Sequence, residues 1–394
     1  MQEPKPKAKK RRTVVRRIGA ALLAALALTS CGVLEMREAA APLPETNRSE
    51  DGLLTPAGRS PAEEASPETA VWIPEAQEET GPGPVTFAFA GDILIDTFIM
   101  SDAARRAGEG QSYSFVRSLS GIYTELNTAD VTVGFDTTAE HPKNDPDPTH
   151  RTPEEAVAAF AEMGYDVLDT FAWNDPNGMF PRYGLVCLTT APASGEEYLV
   201  LTEGGLRYAL YAVGGGDPER EIGSEAALGH IAEAAAEADL VIVLADWDGD
   251  MTHDEQCAAS YYMAEAGADV IVGTGDSIGP VDRLRTEDGT YSLVAYSLGT
   301  VLSTGGRWDA LLGGILTFTA VPDGDGVYTV TDPILTPTFT HYNEKKQEYQ
   351  VFPLSGYGDE LAAEHGVSGF TTGGLRGYVR NIVPLEYLPK AYQD

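Results

Sequence analysis

The sequence predicts an α/β domain with a mixed sheet or two packed sheets. From residue 85 onward, short runs of β-branched and aromatic residues alternate with segments whose apolar residues recur every three or four positions. After about residue 292 the short apolar runs follow one another with little helical pattern between them. Strands that alternate with helices and then return as β-rich chain are typical of this class.

The first half of the domain opens with a strand that ends in an acid. Val85–Ala90 is continuously apolar or β-branched and is closed by Gly91-Asp92, which delivers a carboxylate to the C-terminal end of a buried strand. The segment 101–126 is mainly helical, and Asp130–Phe135 is a second strand. A helix begins at Thr152-Pro153-Glu154-Glu155, with Pro at its first position and acids in its first turn, and Tyr165–Thr170 is the next strand.

The second half continues the alternation. The predicted elements are a hairpin over 199–214, a helix over 223–238, a strand over 240–245, a helix over 253–266 and strands over 269–273, 292–298, 313–319 and 327–330. The chain is more polar from about Tyr342, and Phe370–Pro389 is apolar again. We expect this C-terminal extension, residues 341–394, to pack on a domain that spans residues 85–340.

The N-terminal segment has the composition of an export signal. Residues 1–17 contain eight Lys or Arg and one acid, and the apolar run that follows, Ile18–Leu28, is too short to span a bilayer. It ends at Leu28-Thr29-Ser30-Cys31, which resembles the lipobox of bacterial lipoproteins, in which the cysteine is lipidated. The sequence therefore predicts an extracytoplasmic, lipid-anchored protein with a signal over 1–31. An uncleaved anchor and an ordinary signal peptide are the alternatives.

Residues 32–84 predict a disordered tether. They contain eight prolines, eleven acids and three bases, without a sustained apolar period. Such a segment buries too little apolar surface to offset the entropy lost on ordering. The whole chain carries a net charge of −33, and the signal contributes positive charge to it, so the mature protein is more acidic still. This charge argues against nucleic acid and bare anionic lipid as ligands.

Beyond Cys31 the chain has two cysteines, Cys187 and Cys257. Both lie in apolar segments, where two buried thiols are favoured over a disulfide, although an extracytoplasmic disulfide stays open.

One stretch carries a family resemblance. Residues 238–303 read ADLVIVLADWDGD, then EAGADVIVGTGDSIGPVD, then YSLVAYSLGTV. This pattern resembles the bacterial CapA family of the calcineurin-like metallophosphatases, which are poly-γ-glutamate or capsule synthesis proteins. The resemblance implies a four-layer α/β/β/α sandwich over about residues 85–320.

The same resemblance locates a two-metal site whose histidines are replaced here. The family has HWG, GxHPH and YSLGN, where this chain has Asp246 before Trp247, the turn 273–277 and Thr300. Asp92 matches the family's first ligand. The family's GNLE corresponds to Gly134-Phe135-Asp136-Thr137, in which Asp136 is a partial substitute in another register, and ANNH corresponds to Ala172-Trp173-Asn174-Asp175.

Two-metal hydrolysis needs two ions about 3.5–4 Å apart, held by ligands from several strand ends. None of the six histidines, at positions 141, 150, 230, 253, 341 and 365, lies at a matching position. The sequence therefore predicts a degenerate site. An all-oxygen site for Ca²⁺ or Mg²⁺ is the alternative, and its metal ligands would be Asp92, Asn174, Asp175 and Asp246, with Asp248 or Asp276 as further candidates. If no metal ion binds, we expect these acids to be solvated loop residues that replace the family's histidines.

The expected function is that of a surface-anchored, non-catalytic envelope protein, a pseudoenzyme that binds an anionic or peptidic polymer. The alternative is an active metal-dependent hydrolase or polymer-handling enzyme. If the side chains of Asp92, Asp175 and Asp246 lie close enough together to coordinate one metal site, the hydrolase alternative is favoured. An aromatic side chain in the cleft, from Trp173, Phe135 or Trp247, would favour the binding protein.

Overall fold

The computed structural model describes residues 82–140, 152–170, 178–188, 197–214, 220–247 and 251–393. The predicted signal, with Cys31, and almost all of the predicted tether lie outside these ranges. No helix in the described part of the chain has the length and apolar character needed to cross a bilayer.

Fourteen described strands form two sheets. The first sheet contains β1 (Val85–Ile93), β2 (Val131–Asp136), β3 (Val167–Asp169), β4 (Val186–Leu188), β11 (Thr300–Leu302), β12 (Leu312–Pro322), β13 (Tyr328–His341) and β14 (Gln350–Pro353). The second contains β5 (Leu199–Glu203), β6 (Leu206–Val213), β7 (Leu240–Ala245), β8 (Val270–Gly273), β9 (Val281–Arg285) and β10 (Tyr291–Ala295). The strand orders are β14-β13-β12-β1-β2-β3-β4, with β11 also paired to β1, and β5-β6-β7-β8-β10-β9.

The helices connect these strands. They are α1 (Thr97–Arg106), α2 (Val116–Leu119), α3 (Tyr123–Leu126), α4 (Glu154–Glu162), α5 (Met179–Arg182), α6 (Glu225–Glu237), α7 (His253–Glu265), α8 (Asp359–Ala363) and α9 (Thr372–Ile382). Helix α7 begins with a capping box, because the Thr252 hydroxyl accepts the Glu255 N–H and the Glu255 carboxylate accepts the Thr252 N–H.

Side-chain alternation along the strands produces four layers. In β6, Tyr208 and Leu210 belong to the core shared with the first sheet, and the ring of Phe87 meets Tyr208 edge-on at 5.2 Å. The intervening residues Ala209 and Tyr211 pack in a second cluster with residues of α6 and α7. Since α4 contributes to the core on the first sheet's side, the predicted α/β/β/α sandwich is confirmed.

An aspartate precedes four of the parallel strands and fixes each to its neighbour. Each carboxylate accepts a backbone N–H from the adjacent strand, and each aspartate N–H donates to the carbonyl of the same partner residue. The pairs are Asp130 with Thr86, Asp166 with Thr132, Asp239 with Arg207 and Asp269 with Val241. These contacts occupy polar groups at the strand entrances that the ladder itself leaves unpaired.

The strand predicted over 327–330 is much longer in the structure. It is β13, which runs to His341 because it pairs with β12 on one side and β14 on the other. The sequence prediction stopped short at the polar residues near Asp332. Residues beyond β13 share the main core through buried side chains of Tyr349, Tyr357 and Val379.

Cys187 and Cys257 are both thiols rather than partners in a disulfide, as the sequence favours, and each is partly buried. The expected burial of the two side chains is therefore only partial.

Candidate functional site

The carboxyl ends of β1, β2 and β3 place three side chains in one row. Asp92 pairs with Phe135, and Phe135 pairs with Asp169. Adjacent strands lie about 4.8 Å apart, so roughly 10 Å of backbone separates the two aspartates, with the phenyl side chain between them. Phe135 and Asp169 are fully buried, whereas Asp92 is partly exposed. This row is the candidate site of the first sheet.

Asp92 is held by the segment that precedes β11. Its backbone N–H donates to the Gly299 carbonyl at 2.9 Å, and Asp92 pairs with Thr300 in the parallel ladder. A side chain at Gly91 would overlap the Gly299 carbonyl. The Gly-Asp sequence at the end of β1 therefore has a packing reason: the glycine admits a neighbouring backbone while the aspartate side chain remains at the edge.

Asp136 lies outside this row. It pairs with Ile93 rather than Asp92, and it accepts hydrogen bonds from the Thr138 N–H at 3.2 Å and from the Thr152 hydroxyl. Burial raises the pKa of Asp136, although both threonines oppose the change. The carboxylate thus ties β2 to the start of α4, in a register different from that of Asp92, as the sequence suggested. Its role as a partial substitute ligand stays a prediction.

On the second sheet, Asp246 follows β7. Its N–H donates to the Val213 carbonyl at 2.9 Å, and the Thr274 hydroxyl lies 3.5 Å from its carboxylate. The carboxylate is partly exposed. Asp246 therefore sits at a strand end as predicted, on a different sheet from Asp92.

Trp247 packs on the outer side of the second sheet. Its indole N–H donates to the Tyr296 carbonyl at 2.7 Å, and the ring covers Gly273 so closely that a side chain there would overlap the indole nitrogen. It belongs to the cluster shared with α6 and α7. Of the two described aromatic residues considered for the cleft, Phe135 lies in the row with Asp92 and Trp247 does not.

The stretch 296–299, which carries part of the resemblance, has a structural role. The Ser297 hydroxyl donates to the Ser277 carbonyl at 2.7 Å and accepts the Gly299 N–H at 3.1 Å. It thereby holds the turn 273–277 against the end of β10. Asp276, within that turn, is exposed.

Several predicted site residues fall outside the described ranges: Trp173, Asn174, Asp175 and Asp248. Within the described ranges, no three His, Cys, Asp or Glu side chains come together in a way that could hold a metal ion. Sequence reasoning missed Asp169, although it ends a buried apolar run as Asp92 does. That shared pattern is the signal that could have found it.

The described histidines are engaged elsewhere. His230 contacts the Tyr211 hydroxyl at 3.1 Å, and His253 lies beside Cys257. His341 contacts the Tyr357 hydroxyl at 2.9 Å, and His365 contacts the Thr340 carbonyl at 3.1 Å. None of these four histidines follows directly after β1, β2 or β3. His141 and His150 lie outside the described residues.

The sequence matches no protein-family model and no curated protein. Among solved structures, the chain is similar to a hypothetical protein from Thermus thermophilus, at 16% identity and a TM-score of 0.40, over 64% of this chain and 99% of that one. A putative 5′-nucleotidase from Staphylococcus aureus has 12% identity and a TM-score of 0.40, over 64% of this chain and 54% of that chain. The NAD nucleotidase of Haemophilus influenzae has 10% identity and a TM-score of 0.40, over 76% of this chain and 67% of that chain.

The two nucleotidases are structures of the metallophosphatase type. The chain spans only about half of the length of the Staphylococcus aureus protein. At these identities and scores the similarity assigns no activity, substrate or metal to this chain, and the fold assignment rests on the two-sheet topology. Membership of the CapA family stays a prediction from the sequence.

Proposed function

We propose that this chain is a lipid-anchored envelope protein that binds a polymer in a remodelled metallophosphatase-like cleft and does not hydrolyse phosphoesters. The observation that carries this proposal is the buried Phe135 ring in the row between Asp92 and Asp169. A phenyl group supplies no lone pair to a metal, and it separates two carboxylates that a bridging cation would have to approach together.

The charge of the chain narrows the ligand class. A net charge of −33 repels anionic polymers at low and moderate ionic strength. Of the two polymer classes predicted, a peptidic one with neutral or positive segments is therefore favoured over an anionic one. The lipobox-like segment ending at Cys31 supports membrane attachment, and the same charge argues against nucleic acid as a partner.

The all-oxygen hydrolase is the second candidate. Asp92 and Asp246 both lie at the carboxyl ends of parallel strands, and each is partly exposed. Carboxylates so placed suit Mg²⁺ or Ca²⁺, which prefer oxygen ligands. If such a site forms with Asn174 and Asp175, the ion would neutralise charge on the substrate.

Metal analysis combined with a hydrolysis assay separates the two candidates. We expect the purified chain to lack stoichiometric Mn, Fe or a tightly held pair of Zn ions. We also expect no hydrolysis of p-nitrophenyl phosphate or its diester above the buffer rate, with Asp92→Ala behaving as the wild type. Two tightly bound transition metals per chain would overturn the proposal.

A thermal-shift titration tests the alternative directly. If the oxygen site binds Mg²⁺ or Ca²⁺, the free energy of unfolding should rise as RT ln(1 + [L]/Kd). The response should disappear in Asp92→Ala and persist in Glu109→Ala, which removes an exposed carboxylate far along the chain from any strand end. A response lost in Asp92→Ala alone, together with hydrolysis, would establish the enzyme.

A further inference from the structure

Strand β5 is an edge of the second sheet. In the described part of the chain it pairs with β6 alone, in the antiparallel register that places Glu203 opposite Leu206. The turn between the two strands is Gly204-Gly205, in which both glycines have positive φ, and such a two-residue turn makes its flanking residues a hydrogen-bonded pair. Because bonding alternates along an antiparallel pair, Val200 and Thr202 direct their N–H and C=O groups away from β6.

The side chains along this edge are apolar and half-covered on both faces of the sheet. Leu199 and Leu201 pack against the core between the two sheets, and Tyr198 and Val200 pack against the cluster shared with α6 and α7. All four side chains are partly exposed. A further strand laid along β5 would extend both layers, because its successive side chains would cover the two faces in alternation.

The other sheet edges are protected. Strand β9 has three exposed charged side chains in its five residues, and β4 is only three residues long. At β14, the Gln350 side chain donates to the Ser120 hydroxyl at 3.3 Å, and Gly121 lies so close to the Val351 carbonyl that a side chain there would overlap it. Residues 198–202 of the β5 edge include no charge. An apolar edge without such protection is the kind to which another chain adds as a strand.

Acidic side chains flank this apolar stretch. Glu203 ends β5 and is exposed. Near the other end of the strand, burial and then the charge of Glu237 raise the pKa of Tyr198, so the Glu237 carboxylate lies near that hydroxyl. Glu197, just before β5, pairs with the buried Arg220 at 3.0 Å, although its own side chain is 37% exposed. A ligand strand with basic side chains therefore meets opposite charge at both ends of β5.

A second copy of this chain is a poor partner for the same edge. Antiparallel pairing of two β5 strands about Val200 or Leu201 would place Glu203 of one copy directly or diagonally opposite Glu197 of the other. Two-fold symmetry would make this contact twice. Like charges that face each other across two strands are destabilising, whereas an extended peptide with basic residues avoids the conflict.

We propose that β5 binds an extended peptide with basic residues by strand addition. The peptide backbone bonds to the outward N–H and C=O groups of Val200 and Thr202, and its apolar side chains cover the two half-exposed faces. Its basic side chains lie near Glu203 and Glu237. The site belongs to the second sheet and is separate from the row at Asp92, so it does not depend on the proposed function, and the metal and hydrolysis assays do not report on it.

The probe is a dye-labelled peptide with blocked ends, Lys-Val-Thr-Val-Thr-Val-Lys, titrated into the full chain and followed by fluorescence anisotropy. We expect saturable binding that weakens as salt is added. The matched peptide with Glu in place of both Lys should bind much more weakly, and so should the Lys peptide with a methylated central backbone nitrogen. Hydrogen exchange at the amides of Val200 and Thr202 should slow when the Lys peptide binds, because these N–H groups then gain acceptors.

Two variants of the edge locate the binding. Glu203→Lys changes an exposed side chain and should weaken binding of the Lys peptide by roughly fivefold while strengthening binding of the Glu peptide. Glu109→Lys makes the same charge change at an exposed position after α1 and should bind as the wild type does. Thr202→Pro removes an outward N–H without breaking a bond to β6, and should weaken binding of the Lys peptide by roughly tenfold or more.

The charge variant keeps the test valid if Thr202→Pro fails to fold, because Glu203 is exposed at the end of its strand. No saturable binding in the wild type, equal binding of the Lys and Glu peptides, or binding that Glu203→Lys leaves unchanged would each overturn the proposal. A dimer in sedimentation that Thr202→Pro dissociates would assign the edge to a second copy and would also overturn it.

Discussion

Asp269 and Val241 are joined by two hydrogen bonds at the entrances of the parallel strands β8 and β7. The Asp269 carboxylate accepts the Val241 N–H at 2.8 Å, and the Asp269 N–H donates to the Val241 carbonyl at 2.9 Å. Burial raises the pKa of Asp269 to about 6, partly offset by the hydrogen bond from Val241. Since the unfolded carboxyl titrates near 4, the folded state binds more protons between these values, and this group's contribution to stability falls as the pH rises from about 4 to 6.

Asp269→Asn tests this burial cost. The amide oxygen can accept the same N–H without a charge, so we expect the variant to be more stable than the wild type at pH 7.5, by roughly 1–3 kcal/mol. The advantage should shrink toward pH 4. Urea unfolding at both pH values measures it. Asp239→Asn, with the same pair of hydrogen bonds at an exposed position, should gain less stability at pH 7.5, because water already solvates that carboxylate; an equal gain in both variants would contradict the interpretation.

Gly273→Ala tests the packing of Trp247. The added methyl group would overlap both the indole nitrogen and the Tyr296 carbonyl, which are themselves hydrogen-bonded. We expect a loss of about 1–3 kcal/mol or more of unfolding free energy, together with a change in tryptophan fluorescence. Gly229→Ala is the matched control, because Gly229 lies inside α6 with nothing near its added carbon. That control should gain about 0.5–1 kcal/mol; similar losses in both would refute the overlap.

His365 makes the C-terminal part of the domain sensitive to acid. Its Nε2–H donates to the Thr340 carbonyl at 3.1 Å, and its Nδ1 accepts the Val367 N–H at 2.8 Å, an arrangement that only the neutral ring allows. Burial lowers the pKa of His365 to about 4, with a smaller contribution from His341. The unfolded state therefore binds more protons between about pH 6.5 and 4, and this contribution to stability is lost as the pH falls through that interval.

The His365→Leu variant should separate the stabilising hydrogen bonds of this side chain from the destabilising effect of its protonation in acid. At pH 7.5 the variant should be less stable, by roughly 1–3 kcal/mol, because both hydrogen bonds are lost. It should lose less than the wild type on transfer to pH 4.5, as measured by thermal unfolding. His253→Ala, which removes an exposed histidine, is the control and should leave the acid response unchanged. Parallel pH profiles for wild type and His365→Leu would show that another group is responsible.

Cys31→Ser tests the predicted lipid anchor. Acyl chains on the cysteine would supply the membrane affinity, so the variant should move from the membrane fraction to the soluble fraction and should lose incorporation of labelled fatty acid. Cys187→Ser is the matched control and should fractionate as the wild type does. Membrane association of a wild type that takes up no label would exclude the lipoprotein assignment.

The sequence alone was sufficient for the local elements. Apolar runs predicted the strands now seen as β1, β2, β7 and β8, and the Gly-Asp ending correctly placed Asp92 at a strand end. These features depend on neighbouring residues in the chain, such as side-chain alternation and turn chemistry, so they can be read from a short window. The length of β13 could not be predicted from a short stretch of sequence, because it depends on pairing with β12 and β14, which are separate strands of the chain.

Which residues meet was decided by the tertiary structure. Phe89 pairs with Val133, but an extra residue in β1 then shifts the register, so that Asp92 pairs with Phe135 instead of Asp136. A bulge of this kind comes from the pairing between strands, where Gly91 admits the Gly299 backbone, and a one-residue shift moves a side chain to the other face of the sheet. The sequence by itself thus determined that carboxylates would stand at the strand ends. Only the fold determined that a phenyl ring, and not a second carboxylate, would stand beside Asp92.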